Sequence, residues 1–208
     1  MYIKVEGLSK KYKDEYVLKD INLSLEKNNI YGFIGTNGSG KTMLLKAIAG
    51  LIIPTEGEIY IKNKKLHKNI SFPDDMGLII EGPSFLDYLS GYDNLEVLAK
   101  IKNKIDKNTI MDTLKLVGLD PNSKKIVKKY SLGMKQRLGI AQALMEDPEL
   151  LILDEPFNAL DEEGVKEIRD LLLSMKERGK IILLTSHNQE DIDILCDKIF
   201  KIKAGKII

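Results

Sequence analysis

Hydrophobic residues change their spacing several times along this chain, and each change predicts a change of element. Residues 3–8, 17–25 and 30–34 are rich in isoleucine, valine, leucine and aromatics, as β-strands are. The last of these runs straight into a glycine-rich turn. From Lys41, the apolar positions Leu44, Leu45, Ile48 and Ala49 fall on one side of a helix that ends at Gly50, before Pro54. A short hairpin is expected through Ile59 and Ile61. Between residues 92 and 118 the spacing is helical again, through Leu95, Leu98 and Ile101 and then Ile110, Leu114 and Val117, and Asp120-Pro121 closes the segment. After Ser131, Leu138, Ala141, Leu144 and Met145 keep helical intervals as far as Asp147-Pro148. The apolar run 150–153 follows, then a helix over about 161–178 and a second apolar run at 181–184. Neither run alternates with polar residues, which predicts parallel strands covered on both faces. Alternating strands and helices make the fold class α/β.

With 208 residues, 43% of them hydrophobic, the chain can bury one sizeable core, so residues 1–208 are read as a single domain without repeats or flexible linkers. Thirty-two basic residues against 31 acidic ones leave no net field to recruit nucleic acid or an anionic membrane surface. No apolar stretch approaches the roughly 18 residues that span a bilayer, and Met1-Tyr2-Ile3-Lys4-Val5-Glu6 does not open a secretory signal, so a cytoplasmic location is expected. The single cysteine, Cys196, excludes an internal disulfide and reads as a small buried hydrophobe. Lysines around His67 read as a solvated turn, and His67 receives no role.

The chemistry begins with Gly35-Thr36-Asn37-Gly38-Ser39-Gly40-Lys41-Thr42, which fits G-x-x-x-x-G-K-[ST] after a strand and at a helix start. Such glycines let backbone N–H groups wrap phosphates, the helix dipole favours their charge, Lys41 reaches the β- and γ-phosphates and Thr42 ligates Mg²⁺. The strand 150–153 ends in Asp154-Glu155. Asp154 is placed to hold Mg²⁺ through water, and Glu155 to act as general base or to orient the attacking water. His187, at the end of the next apolar strand, is placed to touch the γ-phosphate.

Tyr130-Ser131-Leu132-Gly133-Met134-Lys135-Gln136-Arg137 resembles the signature of the ABC ATPases. Phosphate loop, signature, acid pair, the loop Asn158-Ala159-Leu160-Asp161 and the histidine follow in that family's order across essentially the whole chain. The resemblance implies a P-loop ATPase core with an antiparallel β subdomain and an inserted helical subdomain at about 84–146. It also implies a second ATP-binding subunit, with ATP held between one subunit's phosphate loop and the other's Ser131 and Gly133. Asp161 would couple the two sites, and Tyr12 would stack on adenine. A separate membrane permease would hold the subunit at the inner face of the membrane. The segment from Glu81 to Leu89 would help form the groove for a permease helix, with at least two of Phe85, Leu86, Tyr88 and Leu89 partly exposed.

Leu132 and Met134 depart from the usual signature glycine and glutamine. Glu81 stands where most relatives carry glutamine, and would sense the γ-phosphate or Mg²⁺. With its Ser-Leu-Gly-Met signature, the chain is similar to the branch that exports, or confers immunity to, bacitracin and lantibiotics. A soluble ATPase of DNA repair or translation is the alternative, but neither a long coiled-coil insert nor a second ATPase domain is present. A non-enzymatic regulatory subunit fits poorly with intact Lys41, Glu155 and His187.

Overall fold

The chain is laid down as two sheets that share one α/β body, and the computed structural model describes residues 1–208. β1 (Ile3–Tyr12) and β2 (Glu15–Leu25) form an antiparallel hairpin. β3 (Asn29–Ile34) enters the second sheet, and the glycine-rich loop joins it to α1 (Lys41–Ile48). β4 (Glu56–Ile61) returns to pair with β1, and β5 (Lys64–Lys65) completes an antiparallel layer of order β2-β1-β4-β5. β6 (Met76–Ile79) precedes a long crossover that holds α2 (Gly91–Lys102), α3 (Lys107–Leu116) and α4 (Leu132–Leu144). The chain re-enters the second sheet as β7 (Leu150–Asp154), beside β6. α5 (Glu162–Glu177) leads to β8 (Ile181–Thr185), and α6 (Gln189–Leu195) to β9 (Lys198–Lys203) and β10 (Lys206–Ile207).

The second sheet has the order β10-β9-β3-β8-β7-β6, and its pairings are parallel except for β9 with β10. The two unbroken apolar runs lie side by side as β7 and β8, and their alternation explains their composition. Leu150, Ile152, Ile181 and Leu183 face the antiparallel layer and α1, while Leu151, Leu153, Ile182 and Leu184 face the helices. All eight are fully buried. Each such side chain contributes about 1.5–3 kcal/mol by leaving water, so a polar residue in either run would be costly.

α4 lies directly on β6. A side chain at Gly77 would place its Cβ 1.9 Å from the Ala143 carbonyl oxygen, so only glycine admits the helix at this distance. Glu149 fastens the antiparallel layer to the start of β7. It accepts from Lys27 Nζ at 2.9 Å, from Tyr2 Oη at 3.2 Å and from Lys62, and the lysine hydrogen bonds hold its pKa down at about 2. No helix is long and apolar enough to cross a membrane.

Candidate functional site

α2 to α6 each open with a polar residue whose side chain accepts a backbone N–H of the first turn, namely Ser90, Asp106, Ser131, Asp161 and Asn188. α1 opens instead at Gly40, with no side-chain cap. Its first amides therefore remain available at the end of the glycine-rich loop, where the helix dipole favours an anion. At its first glycine the loop admits no bulk: a Cβ at Gly35 would lie 2.2 Å from the Ile202 carbonyl oxygen and 2.7 Å from Ser39 Oγ. Ser39 Oγ is buried without a protein partner, a hydroxyl suited to an incoming oxygen.

Lys41 is 7% exposed, and its Nζ donates to the carbonyls of Gly35 at 2.8 Å and Thr36 at 3.2 Å. Thr42 Oγ1 donates to Asp154 Oδ2 at 2.9 Å, while Asp154 Oδ1 accepts from Thr185 Oγ1 at 2.7 Å. A hydroxyl and a fixed carboxylate side by side are hard oxygen donors that fit Mg²⁺, with phosphates and water completing the shell.

Glu155 follows at φ 53°, in the left-handed region, with its N–H held by Thr185 Oγ1 at 2.9 Å. Its carboxylate is 18% exposed, and Oε1 lies 3.2 Å from His187 Nε2 without an aligned hydrogen bond. Oε2 accepts the His187 backbone N–H at 3.3 Å. Burial pushes the Glu155 pKa up and the Asp154 charge adds to this, while His187 and Lys41 oppose it. Asn37 to Thr42, Asp154, Glu155 and His187 line one cleft of about 400 Å³, with Val17 and Met43 at its edge.

Ser131, Gly133 and Asp161 are together elsewhere. Ser131 Oγ accepts from the Met134 N–H at 3.2 Å, and Asp161 Oδ1 accepts from the Gly164 N–H at 3.0 Å. These residues line a second cleft, of about 710 Å³, which shares no residue with the first. Leu132 is 74% exposed at its mouth, and Met134 packs against the core.

Gly35 and Thr36 line neither cleft, their carbonyls accepting from Lys41 Nζ, and two further expected residues lie away from both. Glu81, expected at the metal, instead meets Lys46 Nζ at 2.5 Å; its φ of 59° before Gly82 turns the carboxylate towards α1. Tyr12 is an exposed residue at the end of β1 with Lys10 Nζ 4.9 Å from its ring centre, on the hairpin whose Val17 reaches the first cleft. Two contributors carried no sequence signal of their own. Thr185 joins both acids, and Gln136 Nε2 donates to the carbonyls of Pro156 at 2.8 Å and Glu155 at 3.4 Å. Of the apolar residues at 85–89, Leu86 and Tyr88 are exposed and Phe85 and Leu89 half-buried, as expected.

A sequence profile for the family described as ABC transporter matches residues 18–158. The uncharacterized ABC transporter ATP-binding protein YybJ of Bacillus subtilis is 51% identical over 99% of this chain and 94% of its own length. The bacitracin transport ATP-binding protein BcrA of Enterococcus faecalis is 41% identical over 99% of this chain and 68% of its own. The lantibiotic transport ATP-binding protein SrtF of Streptococcus pyogenes is 39% identical over 99% and 89%. Among solved structures, the dimeric post-hydrolysis state of the ATP-binding cassette MJ0796, bound to ADP and Pi, superposes with a TM-score of 0.89 at 26% identity, covering 99% of this chain and 96% of that one.

Proposed function

Since the chain belongs to the ABC transporter family, as an ATP-binding and ATP-hydrolysing subunit, we propose that its two clefts serve two different nucleotides. The observation that carries this reading is the convergence of Lys41, Thr42, Asp154, Glu155 and His187 on one cleft while Ser131 and Gly133 sit on another. The free amides of α1 and the Lys41 ammonium bind the β- and γ-phosphates. Thr42 and Asp154 hold Mg²⁺, which when bound neutralises phosphate charge. Glu155 orients the attacking water and accepts its proton, and His187 lies beside the transferred phosphate. Ser131, with the capped start of α4, meets the γ-phosphate held by the second subunit, and Asp161 lies where the two subunits communicate. Tyr12 borders the adenine.

Residues 84–146 form the helical subdomain, a reading supported by the position of α2 to α4 in the crossover between β6 and β7. The Phe85–Leu89 segment receives a permease helix, which places the chain at the inner face of the membrane. Export of a bacitracin-like or lantibiotic peptide is the cargo reading, supported by the likeness to BcrA and SrtF.

Glu155→Gln tests this scheme. Turnover should fall about 10²- to 10⁴-fold with ATP binding retained, and light scattering should detect an ATP-trapped dimer. Near-normal hydrolysis would remove Glu155 from the chemistry. In cells, the same variant should raise sensitivity to antimicrobial peptides. Unchanged sensitivity despite lost turnover would discard the cargo and leave the ATPase standing.

A further inference from the structure

The loop that carries His187 is fastened from beneath by a buried ion pair to which the nucleotide chemistry above gives no task. Asp191, in the first turn of α6, is 2% exposed. Its Oδ1 accepts from Arg169 Nε at 2.9 Å and Nη2 at 2.6 Å, and Arg169 belongs to α5. Its Oδ2 accepts from Ser186 Oγ at 2.6 Å. Ser186 Oγ in turn accepts the Asn188 N–H at 3.1 Å. The hydroxyl thus grips the backbone immediately before and immediately after His187. A third contact, Arg169 Nη1 to Glu190 at 3.1 Å, fixes the guanidinium from outside.

Stability alone accounts poorly for this arrangement. Desolvating a carboxylate and a guanidinium costs about as much as their attraction returns, and apolar residues of similar volume commonly fill such a place as well or better. What charge supplies here is direction, because two N–H groups of the guanidinium converge on Oδ1 and fix the carboxylate, and its Oδ2 fixes the Ser186 hydroxyl. We propose that Arg169 and Asp191 are positioning residues that hold the His187 loop, and through it the imidazole, against Glu155. Asp161 caps the start of α5, so the same pair joins the helix behind the second cleft to the histidine of the first. The proposal rests on the assignment of His187 to the nucleotide cleft.

The chain has two histidines, His67 and His187, so the ring resonances of His187 are assignable by comparison with His187→Ala. Asp191→Asn and Arg169→Lys should each shift or broaden the His187 ring signals and leave those of His67 in place. Both variants should lose about 10- to 100-fold in kcat, as small misplacements of reacting groups do, with little change in KM for ATP. In a His187→Ala background, neither should cause further loss, because the pair acts only through that side chain. The joint substitution Arg169→Met with Asp191→Leu should melt no lower than the native protein and still hydrolyse ATP slowly, which separates positioning from folding. Unmoved His187 signals, losses that multiply with His187→Ala, or normal turnover in the joint variant would each overturn the proposal. Unchanged turnover in His187→Ala itself would instead overturn the site assignment, and the ring signals would still decide whether the pair orients the loop.

Discussion

Glu155 is held in a conformation and an environment that both cost stability. A left-handed backbone at a non-glycine residue costs of order 1–3 kcal/mol, and the largely buried carboxylate resists ionisation because it has lost water. Thr185, Gln136 and the His187 N–H hold it there. Because its folded pKa lies above its unfolded one, the native chain binds more protons than the unfolded chain between the two values. Stability therefore falls as pH rises through that window, and the whole deficit is present above the folded pKa. Glu155→Gln removes the ionisation. Its melting temperature without nucleotide should exceed that of the native protein at neutral pH, and the gap should close as pH drops below the folded pKa. Thermal melts across a pH series provide the check, and a variant no more stable at any pH would contradict the assigned cause.

At the scale of elements, what the sequence made legible was whatever depends on neighbouring residues. The runs in β7 and β8, the glycine-rich loop, the helix expected over about 161–178 and the helical spacing of α4 could all be read locally. β6 could not, since four residues interrupted by Gly77 give no period, and β9 sets Ile199 and Phe200 side by side between lysines in a largely exposed strand, without a clean alternation. α6 is too short and too acidic to declare itself. The pairing of β1 with β4 and the meeting of Glu81 with Lys46 depend on contacts distant in sequence, which propensity does not encode. The exposure of the 85–89 segment was legible because four large apolar side chains in five positions exceed what a short loop can bury. Tyr88, 70% exposed, makes the cleanest test. Tyr88→Ala should leave stability within about 0.5 kcal/mol and ATP affinity unchanged. Together with Phe85→Ala it should weaken co-purification with the permease and abolish transport; intact assembly and transport would remove the segment from that contact.

For the whole molecule, the decisive feature is that the phosphate cleft and the signature cleft share no residue. Specific activity should therefore rise with protein concentration. Dimers that combine a Lys41→Ala subunit with a Ser131→Ala subunit should retain at most one site built wholly from intact parts. Turnover measured across a dilution series and in purified mixed dimers checks both, and activity independent of concentration in a monomeric protein would refute the arrangement. The same separation has a genetic consequence. A subunit altered at both Lys41 and Ser131 spoils both sites of any dimer it joins, however sound its partner. Alleles of that kind should be dominant over the native gene, since a cell making both forms in equal amounts keeps far fewer than half of its working dimers.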